Sequence, residues 1–224
     1  MNAPISVIIP CYRCAKTIER AITSVMQQSL LPKEVLLIED ASDDNGETMK
    51  LLNRLQQVCQ DKVDVKVTQL TKNGGPAVAR NVGWDIAQQP FIAFLDADDA
   101  WHPRKLEIQY QWMEAHSEVP LTGHRSVQIR SGEQAPNLPN QVKASLIGRH
   151  QLLMSNCLPT RSAMLRREIS FRFEPAKRYA EDYLLWLSIV LGGRAAWILD
   201  APLAYSYKAD FGIAGLSEIG RAHV

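Results

Sequence analysis

The chain has 224 residues, 46% hydrophobic, 22% charged and 7% aromatic, a composition that excludes a disordered, collagenous or coiled-coil protein and suits one large globular domain. Lysine and arginine number 25 against 24 aspartates and glutamates, so no overall field would draw the molecule to nucleic acid or an anionic membrane. Four cysteines are too few for a disulfide framework, the N-terminus lacks the pattern of a secretory signal, and the longest mostly apolar stretch, residues 183–191, falls short of the roughly 20 residues a membrane-spanning helix needs. A reducing cytoplasm is the expected compartment.

Residues 5–9 form a short, β-branched apolar run stopped by Pro10, the mark of a strand buried on both faces of a parallel sheet. Ile18, Ala21, Ile22, Val25 and Met26 follow at helical spacing, which predicts an amphipathic helix. Residues 35–38 repeat the strand signal, and residues 48–58 the helix signal, with Leu51, Leu52, Leu55 and Val58 on one face. Residues 63–67, 76–87 and 91–95 continue the alternation. Four strands separated by helices predict βαβ units, an α/β fold with a mostly parallel central sheet and helices on both faces.

The second half is less regular. Residues 103–115 read as a helix with Leu106, Gln109, Tyr110 and Met113 on one face, and a strand is expected near residues 125–129. Residues 131–143, polar and containing Pro136 and Pro139, read as a loop; residues 163–165 and 195–199 read as strands, with a helix from about Glu181 to Leu191 between them. No internal repeat or linker divides the chain.

Ligands of parallel sheets gather beyond the carboxyl ends of the strands, and three acidic or turn-rich segments stand there. Phe94-Leu95-Asp96-Ala97-Asp98-Asp99 collects three carboxylates where a strand emerges. In an extended segment Asp96 and Asp98 would face one site, and paired carboxylates with open positions for phosphate oxygens suit Mg²⁺. An isolated D-x-D is otherwise an acidic turn capping a helix. Glu39-Asp40-Ala41-Ser42-Asp43-Asp44 offers acceptors for a nucleobase imide or ribose hydroxyl, or a turn with an N-cap. Asn73-Gly74-Gly75-Pro76, with Arg80 one turn later, offers N–H groups and a guanidinium to a phosphate. It lacks both the dinucleotide-binding and the P-loop glycine patterns. Cys11 and Cys14 have the spacing of a redox pair, but no second such pair accompanies them, and two free thiols are expected.

In this order Val7-Ile8-Ile9-Pro10-Cys11-Tyr12, Ile38-Glu39-Asp40-Ala41-Ser42-Asp43, Asn73 to Asn81, Leu95-Asp96-Ala97-Asp98-Asp99 and Ala180-Glu181-Asp182 resemble the family 2 glycosyltransferases of the GT-A fold, the nucleotide-diphospho-sugar transferase architecture. The resemblance implies that Pro10, Tyr12, Glu39 and Asp40 line the nucleobase pocket, with Asp40 on the imide. It places Arg80 near the nucleotide, Asp96 on the ribose or donor sugar, and Asp98, in the DXD motif, on Mn²⁺ or Mg²⁺ against the diphosphate. Glu181 and Asp182 would supply the catalytic base, Asp182 being the choice; by charge alone both are acidic residues at a helix N-terminus, where the macrodipole favours them.

The implied activity is inverting, metal-dependent transfer of one sugar from a nucleotide-sugar donor, a UDP-sugar, to a glycan or lipid-linked acceptor in bacterial surface-polysaccharide synthesis such as lipopolysaccharide. The implied location is the cytoplasm, with peripheral contact at the inner face of the plasma membrane and no nucleic-acid partner. Glu39, Ala41 and Arg13 stand where the family commonly has Asp, Gly and Asn, and the Gln-x-x-Arg-Trp motif of processive synthases is missing, which favours single-sugar transfer. Two other readings stay open: a sugar nucleotidyltransferase, whose glycine-rich loop is absent after the first strand, and a non-catalytic nucleotide-sugar-binding module. The chain is expected to be one domain, with a nucleotide-binding half at 1–100, an acceptor half at 101–210, and a truncated or non-native tail at 211–224. Trp186, one turn past Asp182, is the best aromatic candidate for stacking on a sugar, while His102 reads as a helix-start residue.

Overall fold

The computed structural model describes residues 2–130, 133–177 and 179–207. Strand β1 (Ala3–Cys11) leads through α1 (Ile18–Met26) to β2 (Pro32–Glu39), and α2 (Glu47–Cys59) leads to β3 (Asp64–Gln69). Helix α3 (Pro76–Ile86) then returns the chain to β4 (Phe91–Phe94). These four strands lie in the order β3-β2-β1-β4, all parallel. Parallel pairing puts Cys11, Glu39, Gln69 and Phe94 at one edge of the sheet, so the loops that follow them share one rim.

The second half supplies β5 (Ala100–Trp101), α4 (Lys105–Ala115), β6 (Leu121–Gln128), β7 (Ala144–Leu146), α5 (Arg149–Met154), a 3₁₀ turn (Thr160–Ser162), β8 (Met164–Arg166), α6 (Glu181–Leu191) and β9 (Ala196–Ser206). The order β3-β2-β1-β4-β8-β6-β9-β5 makes one sheet from both halves, with β7 also on β9. The parallel sheet expected from the sequence holds for its first four strands. Beyond β4 it becomes mixed: β4–β8, β6–β8, β5–β9 and β7–β9 are antiparallel, and β6–β9 is parallel.

Helices cover both faces. Ile5, Val7, Ile9, Val35 and Leu37 pack with α1, α2 and α4, while Ile8, Leu36 and Ile38 pack with α3, α5 and α6. That alternation is why β1 and β2 are apolar throughout. In α2, Leu51, Leu52 and Leu55 meet the sheet as the spacing predicts, but Val58 turns to solvent and Cys59 takes the buried position. Helix α3 lies close to the sheet at Gly83, where a Cβ would come within 2.5 Å of Ile8 Cγ2 and 3.2 Å of Ile38 Cγ1. Only glycine permits this approach, and Arg80 lies three residues earlier on the same helix. Among the described residues no helix is long and apolar enough to cross a membrane. Residues 133–143 contain no helix or strand, and the expectation for residues 211–224 lies outside the described residues.

Candidate active site

The acidic segment after β4 is a turn, closed by the Asp99 N–H donating to the Asp96 carbonyl at 3.1 Å. The extended geometry expected to align Asp96 with Asp98 is therefore not the one adopted; β4 ends at Phe94 and β5 starts at Ala100, and the chain reverses within the five residues between them to pair with β9. Asp96 and Asp98 are half-buried, whereas Asp99 is buried. Burial pushes the Asp99 carboxyl up to about 8, with the charges of Asp96 and Asp98 adding to it and Arg161 opposing. Arg20 of α1 donates to the Asp98 carbonyl and lies over the Tyr207 ring at 3.8 Å. Both residues border a cavity of about 390 Å³ that Trp101 and Tyr205 also line.

Arg80 is 4% exposed and joins two distant parts of the chain. Its Nη2 donates to Asp96 Oδ1 at 2.6 Å and its Nη1 to Glu181 Oε1 at 2.7 Å. Burial works against the guanidinium charge, but Asp96 and Glu181 more than offset it and hold the pKa above its ordinary value. The planar fork can serve two carboxylates at once, which a lysine cannot. Glu181 is thus a buried partner of Arg80, and the neighbouring Asp182 is the half-buried carboxylate of the pair. Asp182 Oδ2 accepts from the Thr160 hydroxyl at 2.7 Å; Oδ1 accepts from the Tyr183 N–H at 2.6 Å and the Asn156 amide at 3.3 Å.

On the other side of the rim, Asp40 is 3% exposed, and its two oxygens accept the Gly74 N–H at 2.7 Å and the Gly75 N–H at 2.8 Å. Gly75 has φ +84° and caps α3, a conformation that suits glycine. The N–H groups that the sequence offered to a phosphate are therefore used by Asp40, and the guanidinium offered with them is used by Asp96 and Glu181. Glu39 is buried and accepts the Ser42 N–H at 2.7 Å. Pro10 is half-buried, and Tyr12 is exposed with its hydroxyl on Asp43 at 3.0 Å. Arg13 forms a two-point ion pair with the same carboxylate. Hydrogen bonds from Arg13 and Tyr12 lower the Asp43 pKa to about 2. The β1–α1 and β2–α2 loops are thereby fastened together around Tyr12. Pro10, Tyr12, Glu39, Asp40, Asp96 and Asp98 stand at or just beyond the carboxyl ends of β1, β2 and β4, and Arg80 reaches Asp96 from α3.

The acidic turn carries hard oxygen donors of the kind a divalent cation takes. Burial and the charges of Asp96 and Asp98 raise the Asp99 carboxyl, and a cation beside the turn would offset that repulsion. Asp98 is half-buried. No cluster of three or more His, Cys, Asp or Glu side chains converges as a complete ligand set among the described residues, so a cation held by Asp98 would draw further oxygens from substrate phosphate and water.

A model of Glycosyl transferase family 2 matches residues 6–173. The chain belongs to this family. Over 214 residues it is 27% identical to the poly(ribitol-phosphate) beta-N-acetylglucosaminyltransferase TarP of Staphylococcus aureus, covering 92% of the present chain and 61% of TarP. Over 191 residues it is 30% identical to an Escherichia coli relative, the UDP-Glc:alpha-D-GlcNAc-diphosphoundecaprenol beta-1,3-glucosyltransferase WfgD, covering 83% and 69% of the two chains. The crystal structure of S. aureus TarS 1–349 in complex with UDP superposes with a TM-score of 0.72 at 25% identity, covering 94% of this chain and 61% of that one. The GT-A fold expected from the motifs is present. The chain spans about 61% of the length of TarP.

The family 2 motifs account for the rim, but not for what holds it. Trp186 is fully buried, with its Nε1 donating to the Leu158 carbonyl at 2.8 Å, so it belongs to the core and offers no stacking face. His102 is half-buried and its Nδ1 accepts the Arg104 N–H at 3.0 Å, as a helix-start residue should. Cys11 and Cys14 are buried free thiols. Asn156, Thr160 and Arg161 are not singled out by the sequence, and Asp99 is marked there only as a member of the acidic segment. The polar run Thr160-Arg161-Ser162 between apolar Leu158 and Ala163 was the one available signal.

Proposed function

We propose that this family 2 domain transfers a single sugar, with inversion, from a UDP-sugar to a glycan or lipid-linked acceptor in bacterial surface-polysaccharide synthesis. The observation that carries the reading is Arg80: one guanidinium pairs with Asp96 of the acidic turn and with Glu181 beside Asp182, which ties the acidic turn and the start of α6 into one ion-pair network. The UDP complex of TarS, the UDP-Glc and lipid-diphosphate acceptor in the name of WfgD, and the β-linkages named for WfgD and TarP support the donor and acceptor classes. A nucleotide-sugar donor and a lipid-linked acceptor meet at the cytoplasmic face of the inner membrane, where the enzyme would work as a peripheral protein.

Tyr12, Pro10, Glu39 and Asp40 form the rim against which the nucleobase would lie, and Asp96 would accept from a ribose or sugar hydroxyl. Mn²⁺ or Mg²⁺ held by Asp98 would supply Lewis-acid stabilisation of the diphosphate as it departs. Asp182 takes the acceptor hydroxyl proton onto a carboxylate oxygen while the acceptor oxygen bonds to the anomeric carbon. The electron pair of the breaking sugar–phosphate bond leaves with the nucleoside diphosphate. One base on the face opposite the leaving group gives a single displacement and inversion.

A thermal-shift panel of UDP, GDP and dTDP, each with and without Mn²⁺, tests the donor half. UDP with Mn²⁺ should raise the melting temperature of the wild-type chain most, by about 2.7 kcal/mol of added stability at a hundredfold excess over Kd, and Asp98→Ala should lose the Mn²⁺-dependent part. Equal shifts in wild type and Asp98→Ala would remove Asp98 from the cation site.

A further inference from the structure

Asp182 is held by three donors from three segments. Thr160 opens the 3₁₀ turn before β8, Asn156 lies in the loop after α5, and the Tyr183 N–H belongs to α6 itself. The Asn156 amide is oriented by its other end, since Asn156 Oδ1 accepts the Leu158 N–H at 3.2 Å and so turns Nδ2 towards Asp182. The 3₁₀ turn is itself braced: Trp101 Nε1 donates to the Arg161 carbonyl at 2.8 Å and Gln109 Nε2 to the Ser162 carbonyl at 2.9 Å. Arg161, next to Thr160, reaches Asp99 Oδ2 at 3.4 Å. Two consecutive residues of one turn thus touch a carboxylate in each acidic motif.

A carboxylate has about four lone-pair positions. Two donors fill those of Oδ1, and the Thr160 hydroxyl takes one on Oδ2. This stops rotation about the Cβ–Cγ bond and leaves the second Oδ2 lone pair to receive a proton. We infer that Thr160, with Asn156 as a second donor, is a positioning residue that aims Asp182 Oδ2 at the acceptor hydroxyl, and that the Thr160-Arg161 pair sets the base against the acidic turn. The inference rests on the reading of Asp182 as the base. It names residues outside every motif that carries the family resemblance.

The test is steady-state release of nucleoside diphosphate, with Mn²⁺ and water as the acceptor, from the α-linked UDP-sugar that the wild-type chain turns over fastest. Misplacing a reacting group by about 1 Å costs about 10²-fold, so Thr160→Val should lower kcat by about 10- to 100-fold. KM for the nucleotide sugar should stay within about twofold, because uniform binding is untouched. Thr160→Ser, which restores the hydroxyl, should recover most of the rate. Asn156→Ala removes the longer hydrogen bond from an exposed position where folding is not at stake, and should lower kcat by about three- to tenfold with KM again unchanged. Asp182→Asn is measured in the same panel. Wild-type kcat in both Thr160→Val and Asn156→Ala beside an inactive Asp182→Asn would overturn the positioning role while keeping the base. A serine variant no faster than the valine variant, with KM raised in both, would overturn it in favour of a purely structural contact. An active Asp182→Asn enzyme would instead remove the base.

Discussion

Asp182→Asn should lower sugar transfer by about 10²- to 10⁴-fold, the usual contribution of a positioned general base, while nucleotide binding and melting temperature stay near wild type. The substitution separates chemistry from structure because asparagine keeps the size and most of the hydrogen bonding. The Tyr183 N–H and the Asn156 amide can still donate to an amide oxygen, and the Thr160 hydroxyl can accept from the amide nitrogen in place of donating to Oδ2. What is lost is the ability to carry a proton away from the acceptor. The assay is kcat for nucleoside diphosphate release, set beside the UDP-induced melting shift. Turnover within a few-fold of wild type would show that the acceptor proton leaves by another route. A parallel loss of the UDP shift would show instead that Asp182 holds the donor.

Arg80→Met should destabilise the fold by about 3–5 kcal/mol, because removing one member of a buried charge network strands the others. Glu181 is 7% exposed and has Arg80 as its ion-pair partner; methionine fills the space but leaves that carboxylate without its cation. At this chain length such a loss should lower the melting temperature by about 6 to 20 °C. The double variant Arg80→Met with Glu181→Gln removes the stranded charge as well and should recover a large part of the loss, since the coupling between neighbours in one network is not additive. A single variant that melts within about 1 °C of wild type would mean that the network contributes little net stability, as exposed ion pairs do. Arg80→Met should also weaken UDP binding with Mn²⁺, since Asp96 would no longer be fixed beside the acidic turn.

How legible the molecule is in its sequence depends on what holds each part. Strands β1, β2 and β4 show as apolar runs because both faces are covered, and α6 begins and ends at Glu181 and Leu191 as its spacing predicts. The two residues of β5, the three of β7 and the six of α5 are too short to establish any period. Strand β9 reads from sequence as stopping at Leu199, yet it runs on through Pro202 to Ser206. The pairing with β6 slips on either side of Arg125, and an irregularity of this kind lets a strand carry a proline. Four of the family motifs mark residues beside a strand end or a helix start, and Arg80 is marked by the glycine turn that opens α3. The partners that determine what those residues can do are tertiary. Asp40, after β2, occupies the Gly74 and Gly75 N–H groups of the loop after the neighbouring β3, and Arg80 meets Glu181 across 101 positions of sequence. Thr160 is marked only by the short polar run 160–162, and Asn156 carries no periodic or compositional mark that separates it from other loop residues.

The central claim is that the acidic turn and Asp182 form one inverting transfer site, and its most direct test is the stereochemistry of the first product. The wild-type chain is incubated with an α-linked UDP-sugar and Mn²⁺, and the anomeric proton of the released sugar is followed by NMR before it mutarotates. A β-anomer appearing first, together with UDP, is the result predicted for a single displacement with Asp182 opposite the leaving group. An α-anomer appearing first, or no UDP release from any α-linked UDP-sugar, would contradict it.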